Sequence, residues 1–232
     1  MLHFQIHPTT MRPPFENEPK IRAWMECIRD AGCAIQKIEP LNLLRKKNGE
    51  LLFALLDADI HSPEGHALPR FVFIRGDACL IVTLVRNRDT GEERFLMVRQ
   101  RRVGNGSNSL EFPAGMLDTD VDDPVGVAAR ELTEETGIKV TTEDIFPLCN
   151  KKFFSSVGAC DEGIYYYGCI RNLDDAAWHS LAEGRSGGNP ADEEHISVVL
   201  MTREDASKEA TSLQVNLGFY LFEAYCRKNK TF

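Results

Sequence analysis

Three glutamates, Glu131, Glu134 and Glu135, stand close together in a segment of helical character. On a helix, Glu131 and Glu135 are one turn apart and share a face, while Glu134 reaches the edge of Glu131 from three residues away. Carboxylates gathered in this way repel one another unless something positive sits among them. Oxygen-only ligands suit a hard divalent ion such as Mg²⁺, which keeps several waters and shares them with substrate phosphates. The residues alone leave two readings open, an acidic helix face turned to solvent or a metal site. Arg130, four residues before Glu134, is an orienting partner in one and an ordinary surface ion pair in the other.

These side chains need a positioned helix, and the flanking sequence supplies its ends. Asp122 or Asp123 can cap the N-terminus, Pro124 fits the first turn, and Gly137 can stop the helix after Thr136. Val125, Ala128, Ala129 and Leu132 form the predicted inward stripe. Upstream, Leu110-Glu-Phe is briefly extended until Pro113-Ala-Gly breaks it, a turn in which backbone groups matter more than side chains. Strands are predicted for Leu51 to Leu56, Arg70 to Ile74, Ala78 to Val85, Arg94 to Arg99, Ile164 to Ile170 and His195 to Leu200. Helices are predicted for Ile21 to Ala31 and for Leu213 to Cys226, the latter packing through Leu217, Tyr220, Leu221 and Ala224. Residues 182 to 194 read as a polar loop, and 34 to 69 as either a small β annex or further strands of the main sheet.

Composition narrows the function classes. A chain of 232 residues accommodates one substantial core plus an annex. The expected division is an arm over 1–19, a helix and β annex over 20–69, and the main domain over 70–232. A net charge of -8 argues against a nucleic-acid surface, and no window approaches the roughly 20 apolar residues of a membrane span. Seven cysteines without a CxxC pair point to small buried thiols in a reduced compartment, and no targeting segment is legible, so the cytoplasm is the default location.

From Gly115 the chain runs through six residues to Asp122, then seven more to Arg130-Glu-Leu-Thr-Glu-Glu-Thr-Gly-Ile138. This pattern resembles the signature of the Nudix hydrolases. The family's usual first spacer is five residues and ends in glutamate; here it is one longer and ends in aspartate, while the helical half is intact. Phe73 to Gly76, Val98 to Arg102, Leu110 to Asp118 and Gly158 to Glu162 resemble the corresponding stretches of ADP-sugar and ADP-ribose diphosphatases, closest to the plant-type ADP-sugar branch.

The resemblance implies an α/β fold, a Nudix α/β/α sandwich around a mixed sheet, with an N-terminal β annex that assists homodimer formation. It implies Mg²⁺-dependent hydrolysis, with Mn²⁺ as an alternative ion, of ADP-ribose or ADP-glucose to AMP and sugar phosphate. Glu131, Glu135 and the Ala114 carbonyl then hold metal, and Glu134 joins through a second or third ion. Glu162 matches the general-base position. Arg75 and Arg102, and more weakly Arg99, match arginines around the substrate's phosphates and ribose. Glu111 is left with three roles: receiving a sugar hydroxyl, orienting an arginine or helping to place the metal.

Other readings stay open at this level. Glu134, Glu193 and Glu194 compete with Glu162 as the catalytic base, Asp161 less so. Phe153, Phe154 and Tyr165 to Tyr167 could stack on adenine but fit packing better, and His195 and Cys160 have no chemical assignment. The alternative functions are hydrolysis of GDP-mannose or a dinucleoside polyphosphate, and a nucleotide-binding module with weak catalysis.

Overall fold

The computed structural model describes residues 14–117, 123–187 and 195–230, with side chains omitted for 185–187. Its described residues divide into two compact units, one of those up to Gly76 together with Ser156–Asp161, the other of those from Asp77 to Ser155 and from Glu162 onward.

In the first unit, helix α1 (Pro19–Asp30) follows a short 3₁₀ turn and covers one face of an antiparallel sheet ordered β1-β2-β3. The strands are Ala34–Arg45, Leu51–His61 and Phe71–Ile74. The strands of this region therefore pair in a sheet of their own, separate from the sheet of the second unit. Alternation along β2 sends Ala54, Leu56, Ala58 and Ile60 inward onto Ile21 and Trp24 of α1, with Ile74 joining from β3.

The second unit is built on a mixed sheet of nine strands among the described residues, with the order β11-β12-β5-β4-β10-β8. Its centre is β4 (Ala78–Asn87), buried on both faces, with β10 (Gly163–Leu173) running parallel along one edge. Strand β5 (Glu93–Arg101) pairs with the other edge only at Thr83 to Arg86 and then diverges. The opening is filled by β6 (Asn108–Glu111) on β5 and β7 (Ala114–Met116) on β4. Strands β8 (Ile145–Pro147) and β9 (Phe153–Phe154) flank β10, and β11 (Arg185–Gly187) pairs with β12 (Ile196–Met201). Part of the predicted polar loop at 182 to 194 is thus strand; Glu193 and Glu194 lie outside the described residues.

Helices cover both faces of this sheet, as the sandwich expectation requires. Residues of α2 (Pro124–Thr136) and α3 (Asp175–Ala182) pack with Cys79, Ile81 and Val85. Residues of α4 (Arg203–Glu209) and α5 (Leu213–Asn229) pack with Leu80, Val82 and Leu84. The predicted inward face of α5 is corrected. Val215, Phe219, Phe222 and Cys226 are buried, whereas Tyr220 is 61% exposed and Leu217 and Leu221 lie at the margin. Both stripes have helical spacing, but the buried one carries two phenylalanines, each removing about 150–250 Å² from water. Phe219 meets Phe95 and Phe112 edge-on at 4.9 and 4.8 Å. Gly218 allows this approach, since a β-carbon there would stand 3.1 Å from Val82.

All seven cysteines are free thiols, and among the described residues no helix is long and apolar enough to cross a membrane.

Candidate active site

The acidic helix is fixed at both ends by the predicted devices. Asp123 caps α2 by accepting from the Gly126 amide at 2.9 Å, and Gly137 ends it at φ 73°. Asp122 lies outside the described residues. Val127, Ala128, Ala129 and Leu132 anchor the helix in the core. That rotation sets the three carboxylates at different depths: Glu135 is 8% exposed, Glu131 half-buried and Glu134 exposed.

Strand β7 brings backbone to the same place. Ile81 N–H donates to the Pro113 carbonyl and Leu117 N–H to the Asp77 carbonyl, both near 2.9 Å or shorter. Antiparallel alternation then turns the intervening Ala114 carbonyl away from β4. Gly115 gives Glu131 its room, because a β-carbon at 115 would fall 2.2 Å from the Glu131 Cγ and Cδ atoms. The Cys79 thiol, opposite Gly115, is pushed up to about 12, chiefly by burial and further by the charges on Glu131 and Glu135. Both carboxylates therefore lie within electrostatic reach of Cys79 at the start of β4.

Glu162 comes to the other side of that strand. Ile164 pairs with Ala78, and Ala114 with Leu80, so β7 and the start of β10 flank β4 about 10 Å apart. The Glu162 carbonyl accepts from the Ser155 amide at 3.1 Å, and its carboxylate is close enough to Tyr166 to add to the rise that burial causes in the phenol's pKa.

The basic residues separate into different settings. Arg102 makes a two-pronged ion pair with Glu111, at 3.0 and 2.6 Å, at the wall of a cavity of about 370 Å³ that also borders the first residues of α5. Glu111 is thus ion-paired with Arg102 at the end of β6. Arg99 points with Phe95 and Met97 to the α4 side and bonds Glu209 at 2.9 Å, so the sheet separates it from the carboxylates of α2. Within the first unit, the Arg75 guanidinium lies 5.6 Å from the Phe53 ring centroid, and its amide donates to Asp161 at 2.7 Å. Asp161 also accepts from the Gly76 amide, which makes it a backbone clasp. Tyr166 and Tyr167 are buried in the sandwich, as packing residues, and His195 is exposed.

Two residues that sequence reading missed stand beside Glu162. Lys152 Nζ meets both Asp77 oxygens at 2.9 and 2.7 Å, and Asp77 also accepts from the Gly163 amide at 3.1 Å. No local pattern marks such a pair.

Among the described residues no three His, Cys, Asp or Glu side chains form a ready metal cluster. The donor set still fits Mg²⁺, which is commonly held by one or two carboxylates with waters and substrate phosphates completing its shell. Glu131 and Glu135 offer two carboxylates of suitable chemistry, and the notch at Gly115 leaves the first of them in place.

A model of the NUDIX domain matches residues 77–217. Nudix hydrolase 14, chloroplastic, of Arabidopsis thaliana is 32% identical over 194 residues, which is 80% of this chain and 61% of that protein. ADP-sugar pyrophosphatase of Mus musculus is 30% identical over 152 residues, 63% of this chain and 65% of that one. The chain thus spans less than two thirds of either relative. A crystal structure described as an ADP compounds hydrolase superposes with a TM-score of 0.59 over 85% of this chain and 95% of its own, at 18% identity, a likeness of fold. The matched domain covers well over half of the chain and contains the capped acidic helix, β7 and the start of β10, and by that match the chain belongs to the Nudix hydrolase family.

Proposed function

We propose that the chain hydrolyses the diphosphate bond of ADP-sugars, ADP-ribose and ADP-glucose, to AMP and sugar phosphate in a Mg²⁺-dependent reaction that Mn²⁺ also supports. The observation that carries this reading is Glu131 lying against Gly115 of β7, next to Ala114, with Glu162 just before β10 on the other edge of β4. The ADP-sugar name of the mouse relative supports the substrate class.

Glu131, Glu135 and the Ala114 carbonyl would hold the ion, with exposed Glu134 available to a second. When bound, Mg²⁺ neutralises the diphosphate oxygens that otherwise repel a nucleophile. Glu162 accepts a proton from the attacking water as the new P–O bond forms, and the bridging P–O bond breaks toward the leaving phosphate. Arg102, held by Glu111, presents a planar fork suited to phosphate or ribose oxygens at the cavity wall. Arg75 serves as a further anion contact. Arg99, on the α4 side of the sheet and bonded to Glu209, is left out of the substrate contacts in this proposal.

The test is turnover with Mg²⁺ of ADP-ribose, ADP-glucose, GDP-mannose and diadenosine polyphosphates, with products separated by chromatography. AMP and sugar phosphate in equal amounts from the ADP-sugars, faster than from the others by about 10-fold or more, is the expected result. Preference for GDP-mannose or a dinucleotide would overturn the substrate class, and nucleotide binding without turnover would overturn the enzyme reading.

The chain acts as a homodimer in this proposal, and the annex sheet supports it. On the face away from α1, Leu44, Leu55 and Phe71 are 49%, 39% and 60% exposed, with Phe53 and Phe73 between them. Large exposed apolar side chains grouped on one sheet face are the kind of surface that a partner covers. Light scattering is expected to give twice 26.1 kDa, and Phe71→Glu to halve it. A wild-type mass of 26.1 kDa rejects the dimer.

A further inference from the structure

Asp77 does three things within the second unit. Its carbonyl accepts from the Leu117 amide at 2.9 Å, just past β7, which carries Ala114 and Gly115. Its carboxylate takes the Gly163 amide at 3.1 Å, and both of its oxygens take Lys152 Nζ. The side chains of Asp77 and Lys152 are 15% and 26% exposed, dry enough for the pair to hold its geometry better than a fully solvated one. The pair closes directly over the backbone: a β-carbon at Gly163 would fall 2.5 Å from Lys152 Cδ and 2.8 Å from Asp77 Oδ1. Glu162 is therefore braced on both sides of its peptide plane, its carbonyl by the Ser155 amide and the next amide by Asp77.

We propose that Asp77 and Lys152 are positioning residues for the reaction, holding the Glu162 backbone at a fixed distance from the strand that presents Ala114. Neither touches the reacting atoms in this account. Lys152 acts by fixing the Asp77 carboxylate, and Asp77 acts by fixing the Gly163 amide. The chemistry calls for such a brace, because a general base must reach its water within hydrogen-bond distance, and an error of about 1 Å costs on the order of 10²-fold in rate. The proposal rests on Glu162 being the base.

The experiment measures kcat and KM for ADP-ribose hydrolysis in Lys152→Met, Asp77→Asn and Lys152→Arg, and repeats Lys152→Met in a Glu162→Gln background. Lys152→Met is expected to lower kcat by about 10–100-fold with little change in KM. Asp77→Asn, which keeps an acceptor for the Gly163 amide and provides a second variant if Lys152→Met folds poorly, is expected to lose less. Lys152→Arg is expected to recover most of the rate. In the Glu162→Gln background, Lys152→Met should cost less than about 2-fold, because the group it positions is already gone. Equal losses in both backgrounds would show a merely structural pair and overturn the proposal. A wild-type kcat in both Lys152→Met and Asp77→Asn, beside an impaired Glu162→Gln, would overturn the positioning role alone. Full activity in Glu162→Gln would instead remove the base assignment, and the positioning role with it.

Discussion

Glutamine at position 135 is expected to abolish turnover while leaving the chain folded. The exchange keeps the size and shape of a side chain that is 8% exposed, and α2 stays anchored by Val127, Ala128, Ala129 and Leu132. One negative charge is lost, and with it the carboxylate proposed to hold Mg²⁺, since neutral amide oxygen binds the ion far less strongly than carboxylate. Loss of charge stabilisation aimed at the transition state costs at least about 10²–10³-fold in kcat. A thermal measurement separates this from damage to the fold. For the wild-type chain, Mg²⁺ at about ten times its Kd adds about 1.4 kcal/mol, or about 3–6 °C in Tm for a protein of this size. The variant should melt close to the metal-free wild type and show no such rise. Glu134→Gln should retain more activity, because Glu134 is exposed and its carboxylate serves a second ion in this account. Wild-type turnover by Glu135→Gln would remove Glu135 from the metal site.

The parts of the fold that were legible in the sequence are those whose signals are local. Asp123, Pro124 and Gly137 mark the two ends of α2 within a few residues of the ends themselves, and the structure uses all three. Strands β4 and β10 were legible as unbroken apolar runs because both are buried on two faces. Strand β1 was not, because most of its residues are exposed and its pairing with β2 is interrupted by three register shifts, which spoil the alternation a reader looks for. The α5 error has a similar origin. Two stripes compete on one helix, and only the aromatic cluster formed by Phe95 and Phe112, over a hundred residues earlier, decides between them.

The candidate site divides along the same line. The spacing of Glu131, Glu134 and Glu135 gave the shared face, but their depths follow from how α2 is rotated on the sheet, which makes Glu135 the buried one and Glu134 the exposed one. The role of Glu111 was undecidable from sequence because its pairing with Arg102 depends on the register of β5 with β6, where Val98 opposes Glu111. Asp77 and Lys152 were invisible for a stronger reason: their sequence separation of 75 leaves no periodicity to read, and each alone is an ordinary surface residue type. Asp161 was noticed only as a neighbour of Glu162, whereas its work is to hold the amides of Arg75 and Gly76.

Alanine at position 115 should cost nearly as much activity as the loss of a carboxylate, although it adds a single methyl group. The new β-carbon would lie 2.2 Å from both Cγ and Cδ of Glu131, far inside contact distance. The obstruction is a flexible side chain rather than backbone, so Glu131 can swing aside and the fold can accommodate the methyl. Gly115 is also outside the set of glycines at positive φ, and alanine at such a position stabilises by about 0.4–1 kcal/mol through the unfolded chain. Tm should therefore stay within about 3 °C of the wild type. With Glu131 in its proposed metal-holding role the reaction has no such tolerance, because a shift of about 1 Å costs on the order of 10²-fold. The expected result is a folded protein with kcat reduced by at least about that factor and a higher Mg²⁺ requirement. A wild-type rate at low Mg²⁺ would mean that Glu131 works from a position that does not need the notch, and the metal site would have to be rebuilt around Glu134 and Glu135. A collapse in Tm would mean instead that Gly115 serves the packing of β7 against α2, and the rate would then say nothing about Glu131.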